Sequence, residues 1–180
     1  MNEQVERDVM EYDVLIIGGG PSGLSSAIKV KQLASAEGKD VSVCVLEKGS
    51  EIGAHILSGN VFEPTALNEL IPDWKEKDAP LNSPATKDVV KFMISGNSSI
   101  NIPFPSFLIP TFNNHGNYVM SLANFTRWLA SQAESLGVEI FPGFTAAEVI
   151  FEENIVKGVL TGEMGISKDG EKKPSYQPSM

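Results

Sequence analysis

From Tyr12 to Leu24 the chain reads Y-D-V-L-I-I-G-G-G-P-S-G-L, an unbroken apolar run that enters a glycine-dense turn. Val14 to Ile17 is too short and too uniformly apolar for an amphipathic helix, so it is predicted as a buried strand of a parallel sheet. Beyond the glycines, Leu24, Ala27, Ile28 and Ala34 recur at helical spacing and give an inner helix face that Gly38 terminates. Val41 to Leu46 is the second strand and ends at Glu47. The next stretch, Lys48 to Gly59, is too rich in glycine and small residues for a regular element.

Val61 to Trp74 predicts a short helix starting near Pro64 or Thr65, with Leu67, Leu70 and Ile71 on one side and a break at Pro72. Core packing is the default expectation for such a stripe. Lys75 to Lys87 reads as an exposed polar loop. Val89 to Ile94 and Ile100 to Phe104 predict a hairpin across Gly96, Asn97 and Ser98. Pro103 to Phe112 carries three prolines among aromatics and aliphatics, which precludes a central strand yet demands a cover. Asn113 to Gly116 is a turn, and Tyr118 to Met120 a short strand. The helix Leu122 to Leu136 turns Phe125, Leu129 and Leu136 inward with Trp128 beside them, and Gly137 caps it. Val138 to Phe141 closes a βαβ crossover, and Thr145 to Phe151 with Ile155 to Thr161 forms a hairpin across Glu153 and Asn154. Residues 1–11 read as a tail, 12–170 as one domain with a single core, and 171–180, which lack apolar periodicity, as a polar tail that frays.

Composition narrows the chemistry. Fourteen basic against 23 acidic residues give a net charge of −9, which disfavours nucleic acid and electrostatic adhesion to anionic lipid, so any membrane contact must be apolar. No apolar run is long enough to span a bilayer as a helix, and the first eleven residues lack signal-peptide and transit-peptide character. The reading is a cytosolic face. The single cysteine, Cys44, lies mid-strand and excludes an internal disulfide; it also cannot by itself hold a [4Fe–4S] cluster, which takes about four thiolates.

Gly18, Gly20 and Gly23 fit G-x-G-x-x-G between a strand and a helix. The first permits the tight turn, the second lets backbone approach a pyrophosphate, and the third lets helix pack on strand. Helix-start amides then face the phosphates with roughly half a positive charge of dipole behind them. Glu47, about twenty residues beyond the last glycine, can accept hydrogen bonds from both hydroxyls of a ribose and repels a 2′-phosphate, which argues against NADP. Gly53 and Gly59 permit close backbone approach past the strand end, while His55 and Ser58 can hydrogen-bond a ribityl chain or flavin ring. Pro21 and Ser22 inside the glycine run suit flavin better than NAD.

Five stretches taken together resemble the N-terminal part of the electron transfer flavoprotein:ubiquinone oxidoreductase family. They are G-G-G-P-S-G-L-S-S-A (Gly18 to Ala27), E-K-G-S-E-I-G-A-H-I-L-S-G (Glu47 to Gly59), P-D-W-K-E-K-D-A-P-L (Pro72 to Leu81), N-N-H-G-N-Y (Asn113 to Tyr118) and G-V-L-T-G-E-M-G-I-S-K-D-G (Gly158 to Gly170). The resemblance implies an α/β, Rossmann-like FAD-binding domain with a parallel sheet and added hairpins, truncated relative to family members. In it Gly18, Gly20, Pro21, Ser22 and Gly23 hold the pyrophosphate, Glu47 the adenosine ribose, Lys48 and Gly53 to Gly59 lie near the flavin, and Ala147 (or Ala146) sits close to adenine. Ser121 stands where some relatives carry arginine and is assigned no contact. The resemblance associates 53–74 with the membrane surface, placing Phe62, Leu70, Ile71 and Trp74 on a membrane or quinone side; 103–112 is assigned to the same side. It implies FAD as cofactor, a [4Fe–4S] cluster and ubiquinone in the full-length relative only, electron transfer flavoprotein as partner, and a peripheral place on the cytoplasmic side of an inner membrane. Two other readings stand beside it: a non-catalytic FAD-binding fragment, and an enzyme like the polyprenyl reductases or flavin monooxygenases.

Overall fold

The structure, a computed structural model, describes residues 8–102, 113–167 and 169–180. In chain order its first elements are β1 (Val14–Ile17), α1 (Pro21–Ala36), β2 (Val43–Glu47), β3 (Asn60–Phe62), α2 (Thr65–Leu70) and β4 (Ser83–Pro84). Then come β5 (Val90–Ser95), β6 (Ser98–Ile102), β7 (Tyr118–Met120), α3 (Leu122–Ser135) and β8 (Val138–Pro142). The chain finishes with β9 (Ala146–Glu152), β10 (Ile155–Thr161), β11 (Met164–Ile166) and β12 (Lys172–Gln177). Packing divides it into two compact units, Met1–Ile56 with Thr126–Met180, and Leu57–Phe125. A single core is expected from length; the segment between the halves of the first unit instead buries Leu67, Ile71, Trp74, Ala79, Leu81 and Met120, enough apolar side chain for a core of its own.

In the first unit β1, β2 and β8 form a parallel sheet in that order, with Val14 opposite Val43, Ile17 opposite Leu46, and Val43 opposite Val138. The central strand, β2, buries Val43, Cys44, Val45 and Leu46, as an uninterrupted apolar run should. Leu24, Ala27, Ile28 and Ala34 are the buried face of α1, as their spacing predicts. At the strand entrances Ser42 N and Oγ both donate to Asp13 Oδ2, at 2.8 and 2.7 Å, and Asp13 N donates to Ser42 Oγ at 2.9 Å, which sets the β1–β2 register. Those bonds, the amide first, hold the Asp13 carboxyl below the usual range.

Four expectations need correction. β1 is half-buried on one face and open on the other: Ile16 lies toward α1, whereas Leu15 and Ile17 are 37% and 53% exposed, and Leu15 lines an apolar cleft of about 220 Å³ with Leu46, Phe141 and Ile150. Leu136 is exposed because α3 has already ended at Ser135, with Gly137 at φ +80°; Phe125 and Leu129 are buried as expected. Residues 75–87 are not all loop surface, since Ala79 and Leu81 are buried and Ser83–Pro84 pairs with β7. The 171–180 tail is ordered: β12 pairs antiparallel with β11, Tyr176 Oη donates to Glu163 Oε1 at 2.7 Å, and Met180 N donates to Thr161 Oγ1 at 2.8 Å. Backbone pairing between edge strands needs no apolar periodicity, so the sequence pattern carried no trace of it.

In the second unit β3, β7 and β4 form an antiparallel sheet in the order β3-β7-β4, and β5 pairs with β6 across the two-residue turn Gly96-Asn97, close to the predicted hairpin. Ile71 and Trp74, read from the resemblance as membrane- or quinone-facing, are buried here. Trp74 is 5% exposed, its Nε1 donates to Asn68 Oδ1 at 2.7 Å, and its ring meets Tyr118 edge-on at 5.7 Å. Phe62 stacks at a tilt on Phe125 at 4.9 Å, and Leu70 is half-buried. Of the stripe, Leu67 and Ile71 are core and Leu70 lies at its margin. Residues 103–112 lie outside the described residues.

Leu24→Ala should cost about 3 kcal/mol, seen as a lower denaturant midpoint at unchanged slope, because the side chain is fully buried. The Asp13 carboxyl is held below its unfolded value, so its contribution is present above about pH 4 and is lost as pH falls through the folded value; Asp13→Asn should flatten that part of the acid-unfolding curve.

Candidate dinucleotide site

The candidate site lies at the carboxyl ends of β1, β2 and β8, where open α/β sheets bind ligands. Gly18 leaves β1 at φ +105°, which an L side chain rarely adopts, and its amide donates to Leu46 O at 2.8 Å. Gly20 is the N-cap of α1 with extended backbone (φ −79°, ψ 177°), and Pro21 occupies the first helical turn, where its missing N–H costs nothing. No side chain caps α1, and its hydrogen-bond ladder begins with Leu24 N on Gly20 O. The amides of Ser22 and Gly23 therefore precede the ladder at the positive end of a 16-residue helix.

The glycines differ in what surrounds them, and one outside the motif is confined much as one within it is. A Cβ at Gly23 would come within 2.0 Å of Gly18 O, so this position sets how tightly helix meets turn. A Cβ at Gly20 would meet no protein atom within 4 Å, so the open space there faces outward, the fit expected of a position kept bare for a ligand. Gly19, to which the motif assigns nothing, is buried; a Cβ there would lie 2.4 Å from Ile52 Cδ1 and 3.1 Å from Glu47 Cβ.

Glu47 closes β2, and its carboxylate is already engaged. Oε2 accepts from Gly19 N at 2.8 Å and Oε1 from Gly49 N at 2.7 Å. Gly143 N, just past β8, donates to Gly49 O at 2.7 Å. Of the remaining sequence-derived candidates, Gly53 is buried at φ +83°, while Lys48 and His55 are exposed, with His55 Nδ1 beside Gly49. Arg127 approaches Glu51 at 3.5 Å, a pair too exposed to contribute much. Ala147 is exposed in β9. Ser58 and Gly59 belong to the second unit, where Ser58 Oγ donates to Ser121 Oγ at 2.8 Å. The first unit thus gathers Gly18 to Gly23, Glu47, Gly53 and His55. Sequence reasoning passed over Gly19, Gly49, Ile52 and Gly143; the third consecutive glycine at the turn and the glycine two residues after Glu47 were the available signals.

Among the described residues no group of three or more His, Cys, Asp or Glu could hold a metal ion. Burial, with the Glu139 carboxylate adding to it, pushes the Cys44 thiol up to about 11, so it is a core side chain rather than a nucleophile.

Fold and site together define a Rossmann-like dinucleotide-binding domain. A family model described as an NAD(P)-binding Rossmann-like domain matches residues 16–72. The chain is 55% identical over 96% of its length to the electron transfer flavoprotein-ubiquinone oxidoreductase of Pseudomonas aeruginosa, and 52% identical over 97% to the mitochondrial protein of that name from Oryza sativa subsp. japonica. It belongs to this family, matching the N-terminal part of its members, and spans 31% and 29% of the length of those two relatives. Among solved structures, a geranylgeranyl bacteriochlorophyll reductase-like protein from Thermoplasma acidophilum aligns with 83% of this chain and 34% of its own at 24% identity (TM-score 0.59). The flavin-dependent brominase Bmp2 aligns with 85% and 34% at 20% identity (TM-score 0.55); both show the fold.

Gly23→Ala should lose about 2 kcal/mol of stability through the contact with Gly18 O, whereas Gly20→Ala should stay within about 0.5 kcal/mol of the parent. Equal destabilisation of the two in parallel thermal melts would contradict this division of labour.

Proposed function

We propose that this chain binds FAD at the crevice over β1, β2 and β8 and acts as the FAD-binding part of an oxidoreductase that passes electrons from reduced electron transfer flavoprotein to ubiquinone. The observation that carries the reading is the bare, outward-facing Gly20 at an uncapped helix start, in a chain about half identical to proteins bearing that enzyme's name. The amides of Ser22 and Gly23 would hold the diphosphate with no cationic side chain, and Glu47 would take the adenosine sugar on the lone pairs left beside its two protein bonds. Gly53 and His55 suit the flavin side, with Lys48 at its rim, and Ala147 is assigned to adenine. When bound, FAD would supply the redox chemistry. The task of these residues is to bind it, orient it and shape its surroundings.

The cluster belongs to the full-length relative. A [4Fe–4S] centre needs about four thiolates and this chain has one cysteine, so no step is placed on a cluster here. The expectation for these 180 residues alone is cofactor binding without quinone reduction. A peripheral position on the cytoplasmic side of an inner membrane belongs to the same reading. Among the described residues no helix is long and apolar enough to cross a membrane. Apolar contact is favoured over charge by the net −9 and by exposed Phe92, Met93 and Ile94 on β5.

Titrating the purified chain with FAD should yield a yellow, stoichiometric complex, and Gly20→Val should retain no flavin; a parent chain that stays colourless in excess FAD overturns the reading. In the same preparation, reduced electron transfer flavoprotein and a short-chain quinone should give no turnover, and measurable turnover would show that the chain is a complete catalyst.

A further inference from the structure

The turns that leave β1, β2 and β8 are stitched together by the chain's own groups. Gly18 N bonds Leu46 O at 2.8 Å, Gly19 N bonds Glu47 Oε2 at 2.8 Å, Gly49 N bonds Glu47 Oε1 at 2.7 Å, and Gly143 N bonds Gly49 O at 2.7 Å. Only the two central bonds pass through a side chain. Both run to one carboxylate, and both are charge-assisted, the stronger kind. Around them the packing leaves no slack: a Cβ at Gly19 would overlap Ile52 and press on Glu47 Cβ, and one at Gly49 would lie 3.1 Å from Glu47 Oε1 and 3.2 Å from Glu51 O.

We propose that Glu47 is a positioning residue that assembles the crevice before any cofactor arrives, its carboxylate clasping the glycine turn after β1 to the turn after β2. A carboxylate offers roughly four acceptor sites. Two are occupied by Gly19 and Gly49, and the other two remain for a sugar. The side chain that reads the ribose is thus the one that already holds the phosphate-binding turn in shape. Loss of the carboxylate would disorder the empty site as well as remove a ligand contact. The consequence for FAD rests on the cofactor reading above; the clasp in the free protein does not.

Amide hydrogen exchange of the ¹⁵N-labelled, cofactor-free 180-residue chain tests this. In the parent, Gly19 and Gly49 amides should be protected relative to free-peptide rates although both lie in turns. In Glu47→Gln, the carboxamide turns a donor toward one of the two amides, and that glycine should exchange at least about tenfold faster, the loss of one charge-assisted bond. In Glu47→Ala both should do so. Gly18 and Gly143, bonded to main-chain carbonyls, should keep their rates. With FAD, Glu47→Gln should slow association, whereas a residue that only grips the sugar would alter dissociation alone. If the parent takes up no FAD yet the exchange pattern changes as stated, the clasp stands and the cofactor reading fails. If FAD binds and both glycines exchange in Glu47→Gln as in the parent, the clasp is overturned. Should the variants not fold, unprotected Gly19 and Gly49 amides in the parent overturn it equally, and protected ones support it.

Discussion

Main chain must approach main chain closely at the carboxyl ends of three parallel strands, and side chains are what would prevent it. The constraint is tightest where α1 starts, since a single added carbon at Gly23 would enter the space of Gly18 O. It recurs at Gly19, packed against Ile52 and Glu47. Once these approaches are allowed, the helix can begin directly over the sheet with its amides unclaimed by a cap. The remaining features of the site, including the open face of Gly20, follow from that placement.

The same constraint reconciles a net charge of −9 with the proposed grip on a diphosphate. Attraction comes from main-chain amides and the helix dipole rather than from lysine or arginine, so the acidity of the surface does not oppose it at short range. Glu47 is the apparent exception, an acid beside an anion site. Its charge is directed at two amides of the protein itself, at 2.8 and 2.7 Å, which draws the negative end of the side chain into the turns.

The second unit follows an independent logic. A tryptophan whose ring nitrogen is bonded to Asn68 and whose edge meets Tyr118 organises a small core with Leu67, Ile71 and Leu81. Asp88 accepts from Asn114 N and Nδ2 at 3.0 and 2.7 Å and so ties the approach to β5 to the turn before β7. The main-chain bond first and the side-chain bond second hold its carboxyl below the ordinary range. The β5–β6 hairpin keeps Phe92, Met93, Ile94 and Ile100 exposed, side chains from both faces of a two-stranded ribbon.

The local pattern determined β1, α1, β2, α3, β8 and the β9–β10 hairpin to within a few residues, together with the buried face of α1, because periodicity and glycine chemistry are written within single segments. It determined the glycine turn and the acid at the end of β2 for the same reason. Only the tertiary structure decided that Gly19 and Gly49 are held by Glu47, that Leu15 and Ile17 stay open on one face of β1, that Ile71 and Trp74 are core, and that Lys172–Gln177 near the end of the chain pairs as a strand. Each of these depends on which groups the fold brings together, from Gly49 two residues past Glu47 to Gly19 twenty-eight before it, and an apolar stripe or a polar tail looks the same in sequence whether or not something arrives to cover it.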